Sequence, residues 1–593
     1  MSSSAEARAL ELTQANRLAE AEAAWRALLE GDPQNARAEH FLGCVLARSG
    51  RIEEGLARIG RSIEREPRNA AFLGNRAVVL ADAGRLDEAI GDLRRALRQD
   101  PSFAAAHFHL GVLLSRTGRA GEAVVALRKA AALEPRHVGA HSALGRALFE
   151  SGDFGGARAS FEYGLTLRPG DPDLLNSVGL ALNALGMSAA AIARFDEALA
   201  ARPGFAEAMC NRGHALRDSG DLRGAAATYE RAFAARASFV EAALARAGAA
   251  LDLGETEPAA AWYARALAIA PGSPDARYGL GQVALREHRF AEGWDGYEAR
   301  FATRPPQASA EDAGLPRLTA ESLPAAGRIA VCAEQGLGDQ VLFCTLLPEL
   351  AALGKEAVVQ VDPRLAPVLA RSMPRFAIVG DGGEALRRCD AQIPLGSLPS
   401  LFRRDAASFS RQPRALVAAD PERVARYRAM LGGVRHVGIS WRSLQAGERR
   451  TLAARKSAPL EALAVIARIP GVRLLDLQYG DLAAERAAFE SRHPGALVRL
   501  PGLDLHDDLE GVFAAIEACD AVVTTSNVTA HFAGAIGKET LLVYLGGNAP
   551  FHYWVPGPDG RSLWYPSVRI VSARELETWE RAFARAGAML AAR

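Results

Sequence analysis

Apolar residues in the first half of the chain recur at the three- and four-residue spacing of amphipathic helices, and the whole pattern repeats every 34 residues. This spacing is seen at Phe72, Leu73, Leu93 and Leu97. Proline marks one position of nearly every repeat: Pro33, Pro67, Pro101, Pro135, Pro169, Pro203 and Pro271, with Ala237 in the missing place. Seventeen residues further on stand Gly50, Gly84, Gly118, Gly152, Gly186, Gly220 and Gly254, and then His288. The first half is therefore predicted to be an array of helix pairs.

Each recurring residue type predicts one part of a helix pair. Proline is expected to open helix A, where its missing amide hydrogen costs nothing. The glycine seventeen residues later is expected to end helix A in a left-handed cap. Glycine or alanine also stands ten residues after and twelve residues before each proline position, which lets helices A and B approach closely. In length and residue type this unit resembles the tetratricopeptide repeat.

We expect about eight repeats up to residue 270, counting a degenerate first unit that includes Trp25 and Leu28. An altered last unit is predicted to close near Phe301, with Phe290, Trp294 and Tyr297 on its final helix. Aromatic residues suit that place because the end of a solenoid must bury its face against something.

A solenoid of this kind has a concave groove lined by helix A side chains. Polar residues eight places after the prolines are expected to face it: Asn75, His109, Ser177 and Asn211. Asparagine side chains in a row could hold an extended peptide by its backbone amides. The alternative is that these residues are simply the solvated inner face of the solenoid.

The pattern changes after residue 302, where a proline-rich linker is predicted over 303–327. Beyond it, short apolar strands alternate with helices, which predicts parallel sheets covered by helices in two Rossmann-like lobes, 328–432 and 433–593. Predicted helices include 459–469 and a last one, 573–590, that could pack across both lobes. The expected fold is thus an α solenoid followed by an α/β region.

Composition excludes several classes of function. Lys plus Arg is 70 and Asp plus Glu is 69, so the chain lacks the basic excess of a general nucleic-acid binder and has no charge that would favour an anionic membrane. No signal-peptide core and no apolar run of membrane-spanning length is seen. The six cysteines are scattered and are expected to be small buried residues of a protein in the reducing cytoplasm.

Three segments carry a resemblance to one enzyme group. They are Ala333–Gln340 (AEQGLGDQ), Gly438–Arg442 (GISWR) followed by Arg455–Ser457 (RKS), and Thr525–Gly537 (TSNVTAHFAGAIG). Together with the repeats they resemble the bacterial tetratricopeptide-repeat glycosyltransferases, whose catalytic half is similar to ADP-heptose–lipopolysaccharide heptosyltransferases. Some flagellin-modifying enzymes of alphaproteobacteria have the same layout. The resemblance implies the two-lobed architecture called GT-B.

The first segment suggests a catalytic base. Gly336 and Gly338 would let the backbone turn tightly after a strand and approach a ligand. Asp339 would then lie at a helix N-terminus, where the heptosyltransferases carry an aspartate, and could take the proton from an attacking hydroxyl. Aspartate also favours this position as a plain helix cap, which is the alternative.

The other segments suggest a site for the donor phosphates. Ser526 and Asn527 open a predicted helix, and helix N-termini and cations bind phosphate. The remaining candidates are Arg442, Lys456 and His531. Basic residues in loops can equally be solvated surface, and His531 could simply satisfy a backbone carbonyl. The related enzymes place an acidic residue at Ser526 and threonine at Asn527, a departure that suggests a different donor or a weakened enzyme.

The sequence therefore favours an inverting, metal-independent protein O-glycosyltransferase that needs no cofactor beyond its nucleotide-sugar donor. The acceptor would be a protein held by the repeats, and the layout suggests flagellin. The alternatives are a repeat scaffold with an inactive transferase-like domain, and a lipopolysaccharide or small-glycan transferase. The sequence leaves the sugar, the nucleotide, the modified residue and the oligomeric state open.

Overall fold

The computed structural model describes residues 2–303, 314–443, 456–545, 551–572 and 577–592. The chain divides into two compact units, Met1–Ala215 and Leu216–Arg593. This division lies inside the run of helical repeats, so the second unit contains the last repeats together with the α/β region. The boundaries at 302, 327 and 432 stay predictions.

The described residues of the first half contain eighteen α-helices, of which α1 to α12 pack as consecutive pairs in the first unit and α15 to α18 in the second. They are α1 Ser2–Gln14, α2 Leu18–Gly31, α3 Ala36–Arg48, α4 Ile52–Arg65, α5 Ala70–Asp82, α6 Leu86–Gln99, α7 Ala104–Arg116, α8 Ala120–Leu133, α9 Val138–Glu150, α10 Phe154–Leu167, α11 Pro172–Ala184, α12 Ser188–Ala201, α13 Ala206–Ser219, α14 Leu222–Ala235, α15 Val240–Leu253, α16 Thr256–Ile269, α17 Pro274–Arg286 and α18 Phe290–Tyr297. A 3₁₀ turn, Glu298–Phe301, follows α18. The prediction of paired helices at a 34-residue period is confirmed.

The prolines do not open helix A, and that prediction is wrong. Pro33 lies three residues before α3, inside a turn closed by the Asn35 amide, which donates to the Asp32 carbonyl oxygen over 3.2 Å. Proline fits the second position of such a turn because the turn requires the φ that the proline ring imposes.

The glycines seventeen residues after the prolines do adopt the left-handed conformation, with φ between 75° and 98°. His288 takes the same conformation, with φ 57°, although a side chain disfavours it. The turn geometry is therefore kept in the last repeat even where the glycine is lost.

Close packing of helices A and B depends on the small residues. A Cβ atom on Gly43 would lie 2.7 Å from the Gly55 carbonyl oxygen, and one on Gly111 would lie 2.3 Å from Leu127 Cγ. Both distances are shorter than non-bonded atoms tolerate, so these two positions admit no side chain.

Two glycines of one repeat give opposite predictions for replacement by alanine. Neither Gly84, with φ 78°, nor Gly91, inside α6, has a neighbouring atom within 4 Å of an added Cβ. Gly84→Ala is expected to destabilise the protein by about 1 kcal/mol, because alanine disfavours positive φ. Gly91→Ala is expected to stabilise it by about 0.5–1 kcal/mol, because alanine has the higher helix propensity. Thermal unfolding of both variants checks this, and shifts of the same sign would contradict it.

The first sheet has four parallel strands in the order β3-β2-β1-β4. Its elements are β1 Arg328–Cys332, α19 Leu337–Cys344, α20 Leu347–Ala352, β2 Glu356–Gln360, α21 Ala366–Ser372, β3 Ala377–Val379, α22 Gly383–Arg387, β4 Ala391–Pro394, α23 Leu398–Phe402 and α24 Pro421–Leu431, with 3₁₀ turns at Leu395–Ser397 and Ala407–Arg411. The described end of the predicted linker runs along β4, where the Gln392 amide donates to the Pro316 carbonyl oxygen.

The second sheet has six parallel strands in the order β10-β9-β8-β5-β6-β7. Its elements are β5 Arg435–Ser440, α25 Ala464–Ala467, β6 Val472–Asp476, α26 Ala483–Arg492, β7 Leu497–Val498, α27 Leu509–Ala518, β8 Ala521–Thr524, α28 Val528–Ile536, β9 Thr540–Tyr544, β10 Val568–Ser572 and α29 Trp579–Ala591, with 3₁₀ turns at Leu460–Leu463 and His552–Trp554. The C-terminal α/β region with parallel sheets thus agrees with the prediction.

Two predicted helices differ from the structure. The predicted helix over 459–469 is a 3₁₀ turn followed by the four-residue α25, because Pro459 and Pro470 bound a very short segment. Among the described residues, the hydrophobic cluster that contains the last helix, α29, includes no strand of the first sheet. Its residues Ala582, Phe583 and Ala586 share that cluster with residues of the second sheet.

One hydrophobic core joins the last repeat to both sheets. It contains Phe290, Trp294 and Tyr297 of the closing helix, Val331 of β1 and Val522 of β8. The aromatic closing helix predicted from the sequence therefore covers the solenoid end by packing into the α/β region.

Two smaller observations complete the fold. All six cysteines are free, and five of them are buried. Within the described part of the chain, no helix combines the length and the hydropathy needed to cross a membrane.

Candidate active site

The turn between β1 and α19 presents Asp339 at the edge of the first sheet. Gly336 is the N-cap residue of α19, and Asp339 is the third residue of the helix. The Asp339 carboxylate accepts a hydrogen bond from the Gly336 amide, which is the reciprocal half of a capping box. The helix-cap role weighed from the sequence is thus present, and it does not prevent Asp339 from lining a cleft.

The same turn contains Gln335, a non-glycine residue with φ 62°. Its side-chain Nε2 donates to the Tyr297 hydroxyl over 2.7 Å, and its carbonyl oxygen accepts from Gln340 Nε2 over 3.2 Å. A left-handed non-glycine residue costs about 1–2 kcal/mol, so surrounding contacts must hold it. Tyr297 belongs to the closing helix, which means that the last repeat helps to hold this turn.

A buried ion pair lies next to Asp339. Arg300 Nη2 lies 3.0 Å from Glu334 Oε2 and donates to Ser397 Oγ over 2.9 Å. Both charged side chains are 0% exposed. Burial raises the pKa of Glu334, and the charge and hydrogen bonds of Arg300 oppose that rise. Glu334 stands five residues before Asp339 in the sequence, but nothing in the sequence indicated that Arg300 is the partner of Glu334.

Burial raises the pKa of Asp339 from its ordinary 3.8 to about 6, and the negative charge of Glu334 adds to the rise. The Gly336 amide, Lys456 and the Tyr553 hydroxyl act in the opposite direction. A carboxylate with this pKa is ionised at neutral pH and is still basic enough to accept a proton from a reacting hydroxyl.

The turn between β8 and α28 forms the facing edge. Asn527 is the N-cap of α28: its Oδ1 accepts from the Thr529 amide over 3.0 Å, and its Nδ2 donates to Ser440 Oγ over 2.9 Å. Asn527 is therefore engaged in internal contacts on both sides of its amide. Ser526 is 2% exposed and lines the cleft beside it.

Gly338 is explained by helix packing as much as by ligand approach. A Cβ atom there would lie 2.7 Å from His531 Cδ2, so α19 and α28 meet closely only because the side chain is missing. His531 Nδ1 lies 3.2 Å from the Tyr565 hydroxyl. Burial, with the nearby charge of Lys456, lowers the pKa of His531 to about 3. Its ring is neutral at physiological pH and supplies no positive charge for a phosphate.

The two basic candidates differ in their surroundings. Lys456 is 4% exposed, and its Nζ lies 5.0 Å from the centre of the Phe551 ring in the cleft. Arg442 instead pairs with Glu485, with Nε 2.9 Å from Oε2, and the described lining of the cleft does not include it. The expectation that Arg442 lies in the donor site is therefore not supported by its position.

One cleft of 1140 Å³ brings most of the predicted site together, and we call it the Asp339 cleft. Of the predicted residues it is lined by Gly336, Gly338, Asp339, Lys456, Ser526, Asn527 and His531. Its other wall comes from α15 and α17 of the last repeats. The whole cleft belongs to the second compact unit.

The four predicted groove residues lie in the first compact unit. Asn75 Nδ2 lies 2.9 Å from His40 Nε2, and Asn211 Nδ2 donates to Asn176 Oδ1 over 3.0 Å. Ser177 donates to the Asp173 carbonyl oxygen of its own helix. Burial, with the nearby charge of His137, lowers the pKa of His109. The contacts of Asn75 and Asn211 join residues 35 apart along the chain. Peptide capture by the four groove residues stays a prediction.

A family model of the tetratricopeptide repeat matches this chain over residues 42–102, 84–137, 114–172, 142–206 and 210–274. The N-terminal half is a tetratricopeptide-repeat solenoid. Among curated proteins, protein FlbA of Caulobacter vibrioides is 32% identical over 338 residues, covering 52% of this chain and 54% of that protein. The chain thus spans about half the length of the curated relative that it matches.

Two of the solved structures that are similar to this chain are described as tetratricopeptide repeat proteins. A tetratricopeptide repeat protein from Parabacteroides merdae is 19% identical, covers 40% of this chain and 93% of its own, and has a TM-score of 0.32. YrrB is described as a tetratricopeptide repeat protein with an unusual peptide-binding site. It is 22% identical, the match covers 31% of this chain and 95% of YrrB, and the TM-score is 0.29.

Proposed function

We propose that this chain is an inverting, metal-independent protein O-glycosyltransferase of the GT-B type, which transfers a sugar from a nucleotide-activated donor to a Ser or Thr hydroxyl. The observation that supports this best is the Asp339 cleft. A carboxylate with a pKa of about 6 lies in it, between the edges of two parallel sheets and a wall of tetratricopeptide helices. Ligands of parallel α/β sheets bind at the carboxyl ends of the strands, where these turns lie.

In the proposed reaction Asp339 acts as the general base. Its carboxylate takes the proton from the acceptor hydroxyl as that oxygen attacks the anomeric carbon of the sugar. The bond between the anomeric carbon and the phosphate oxygen breaks with its electron pair, and the nucleotide diphosphate leaves. A single displacement inverts the anomeric centre. The proton on Asp339 then passes to solvent.

The leaving diphosphate would be held at the other edge of the cleft. The N-terminus of α28, with Ser526 beside it, offers backbone amides and the positive end of the helix dipole. Lys456 supplies a positive charge in the same cleft. Ser526 in place of an acidic residue leaves one negative charge fewer near these phosphates. Arg442 is left out of this assignment because it pairs with Glu485.

The rival function is a repeat scaffold with an inactive transferase-like domain. It is favoured by the internal engagement of two donor-site candidates, Arg442 with Glu485 and Asn527 with α28. A lipopolysaccharide or small-glycan transferase is the third reading, in which the repeats serve assembly.

Mass spectrometry of flagellin co-expressed with the full-length protein tests the proposal, since flagellin is the acceptor that the repeat-plus-transferase layout suggests. We expect a sugar mass on Ser or Thr with the wild type and none with Asp339→Ala, while flagellin still co-purifies with the variant. Equal modification by the variant would exclude Asp339 as the base. Co-purification without modification by the wild type would favour the scaffold.

The full-length chain is needed for this test. Truncation at residue 300 would remove Trp294 and Tyr297 from the core that they share with β1 and β8. A loss of activity in the truncated protein would then show only that this core had been disrupted. To test the third reading, the intact protein is offered a lipopolysaccharide core oligosaccharide in place of flagellin, and transfer to the oligosaccharide alone would favour that reading.

A further inference from the structure

The short segment Phe551–Trp554, between β9 and β10, forms part of the lining of the Asp339 cleft. Phe551 lies beside Lys456, with 5.0 Å between Nζ and the ring centre. The Tyr553 hydroxyl donates a hydrogen bond to the Asp339 carboxylate. One segment of the second sheet region therefore contacts both the cation of the proposed donor site and the proposed base.

The Tyr553 ring is held by packing. Phe551 stacks on it with 5.1 Å between ring centres, and the ring of His531 on α28 lies 5.2 Å away. The Tyr553 carbonyl oxygen accepts a hydrogen bond from Ser562 Oγ over 3.2 Å. Tyr553 is 7% exposed, so the ring has little freedom to turn its hydroxyl away from Asp339.

Helix packing independently places Tyr553 beside the base. His531 packs against Gly338 of α19, where an added Cβ would lie 2.7 Å from His531 Cδ2. Gly338 directly precedes Asp339 in the same helix. His531 therefore lies against both the Tyr553 ring and the turn of α19 that presents Asp339.

Tyr553 acts only as a hydrogen-bond donor in this pair. Burial raises the pKa of Tyr553 well above its ordinary value of 10, and the negative charge of Asp339 adds to the rise. The phenol keeps its proton at neutral pH, so it cannot replace Asp339 as the base. A carboxylate has about four lone-pair sites, which leaves room for the acceptor hydroxyl beside Tyr553 and the Gly336 amide.

The other titratable groups next to Asp339 come from several parts of the fold. The charge of Glu334 raises the pKa of Asp339, the charge of Lys456 lowers it, and His531 is neutral at physiological pH. Three more tyrosines lie near enough for the charge of Asp339 to raise their pKa values: Tyr278 of α17, Tyr297 of α18 and Tyr565. The side-chain hydrogen bond to Asp339 comes from Tyr553.

We propose that Tyr553 is a positioning residue for Asp339, whose hydroxyl fixes the carboxylate in the orientation that takes the proton of the acceptor hydroxyl. The proposal rests on the proposed function and goes beyond it. Asp339 follows a strand of the first sheet, whereas Tyr553 belongs to the second sheet region, which would hold the donor. The hydrogen bond therefore aligns the base with the bound donor. In the reaction the proton moves to Asp339, and Tyr553 keeps its own.

Tyr553→Phe tests this role because it keeps the ring and removes the hydroxyl. In steady-state transfer to flagellin by the full-length protein, we expect kcat to fall about ten-fold or more, with both KM values changed less than about two-fold. The acid limb of the kcat/KM profile should move to higher pH than in the wild type. Asp339 has then lost a donor that favours its ionised form.

Tyr565→Phe is the matched control. Tyr565 is buried, its hydroxyl lies 3.2 Å from His531 Nδ1, and the charge of Asp339 raises its pKa as well. Removing this hydroxyl is expected to leave the midpoint of the acid limb where it is in the wild type. If Tyr553 were only a packing residue, Tyr553→Phe would give the same unchanged midpoint.

Thermal unfolding at pH 7.5 tests the contact without any transfer reaction. Asp339→Asn is expected to raise the unfolding temperature more in the Tyr553→Phe background than in the wild type. The ionised carboxylate loses a charge-assisted hydrogen bond in that background, and asparagine removes the charge that needs it. Equal gains in the two backgrounds would show that Tyr553 does not act on Asp339.

The two levels of the proposal fail differently. An active wild type whose acid limb is not moved by Tyr553→Phe overturns the positioning role alone. A wild type that modifies no acceptor overturns the proposed function, and the role of Tyr553 in transfer with it.

Discussion

Asp339→Asn is expected to lower the kcat of sugar transfer by about 10²–10⁴-fold, the range that a positioned general base contributes. Asparagine keeps the size of the side chain and can still accept from the Gly336 amide, so α19 is expected to keep its cap. It cannot take the proton of the acceptor hydroxyl. The KM values for donor and acceptor are therefore expected to change little while kcat falls.

The same substitution is expected to stabilise the protein at neutral pH. The pKa of Asp339 is raised from 3.8 to about 6, so the folded state holds the proton more tightly than the unfolded state does. The free energy of unfolding therefore falls as the pH rises through this window. Above it, the ionised carboxylate costs about 1–3 kcal/mol, which the neutral asparagine removes. Asp339→Asn should thus raise the unfolding temperature at pH 7.5 and have little effect near pH 4.

The raised pKa also predicts the pH dependence of the wild type. The base must be ionised, so kcat/KM should fall as the pH drops through about 6.

Asp362 is the matched control for the stability prediction. The hydrogen bond from Arg364 lowers the pKa of Asp362, whereas burial raises the pKa of Asp339. Asp362→Asn is expected to give no gain in stability at neutral pH. An Asp339→Asn variant that transfers sugar at more than a tenth of the wild-type rate would exclude the assigned role.

Glu334→Ala is expected to give the largest loss of stability, about 3–5 kcal/mol, because it leaves the Arg300 charge buried beside the cleft with its main partner gone. Glu298 still lies 2.8 Å from Arg300 Nη1, so part of the compensation remains. The loss should appear as a lower midpoint for the unfolding of the second compact unit, followed by thermal denaturation.

The exposed pair Arg404–Asp295 is the control for Glu334. It likewise joins the closing segment, α18 and the 3₁₀ turn after it, to the first sheet region, but its side chains are 43% and 65% exposed. Asp295→Ala is expected to cost less than about 1 kcal/mol. Glu334→Gln tests the electrostatics separately. The charge of Glu334 raises the pKa of Asp339, so the acid limb of the activity profile should move to lower pH in any Glu334→Gln protein that folds. Equal losses in Glu334→Ala and Asp295→Ala would contradict the buried-pair account.

Local features of the solenoid were predictable because each depends on residues a few positions apart. A left-handed turn favours glycine, and the seven glycines that stand seventeen residues after the repeat positions, from Gly50 to Gly254, all adopt it. The error over Pro33 has the same local origin, since proline fits the second residue of a turn as well as the first residue of a helix. Most of the strands were predictable from short apolar runs. A helix as short as α22 leaves too little periodicity to detect, and α25 occupies only four residues of the helix predicted over 459–469.

The candidate site was predictable only in part. Asp339, Lys456 and Ser526 were indicated by motifs and by their places after strands, and all three line one cleft. Arg442 has a similar sequence context but pairs with Glu485, which lies 43 residues away. Arg300 is 34 residues from Glu334, and His552 meets Trp294 across more than half the second unit. No local pattern encodes such pairings.

By itself, the sequence determined the repeat period, the left-handed turns, the change to parallel α/β structure and the residue types that could serve a transferase. These follow from backbone conformation and side-chain size, which act over a few residues. Only the tertiary structure decided that the closing helix shares a core with both sheets and that α15 and α17 line the Asp339 cleft. It also decided that the pKa of Asp339 is raised to about 6. Burial and charge pairing produce these results, and both depend on residues that folding brings together from distant parts of the chain.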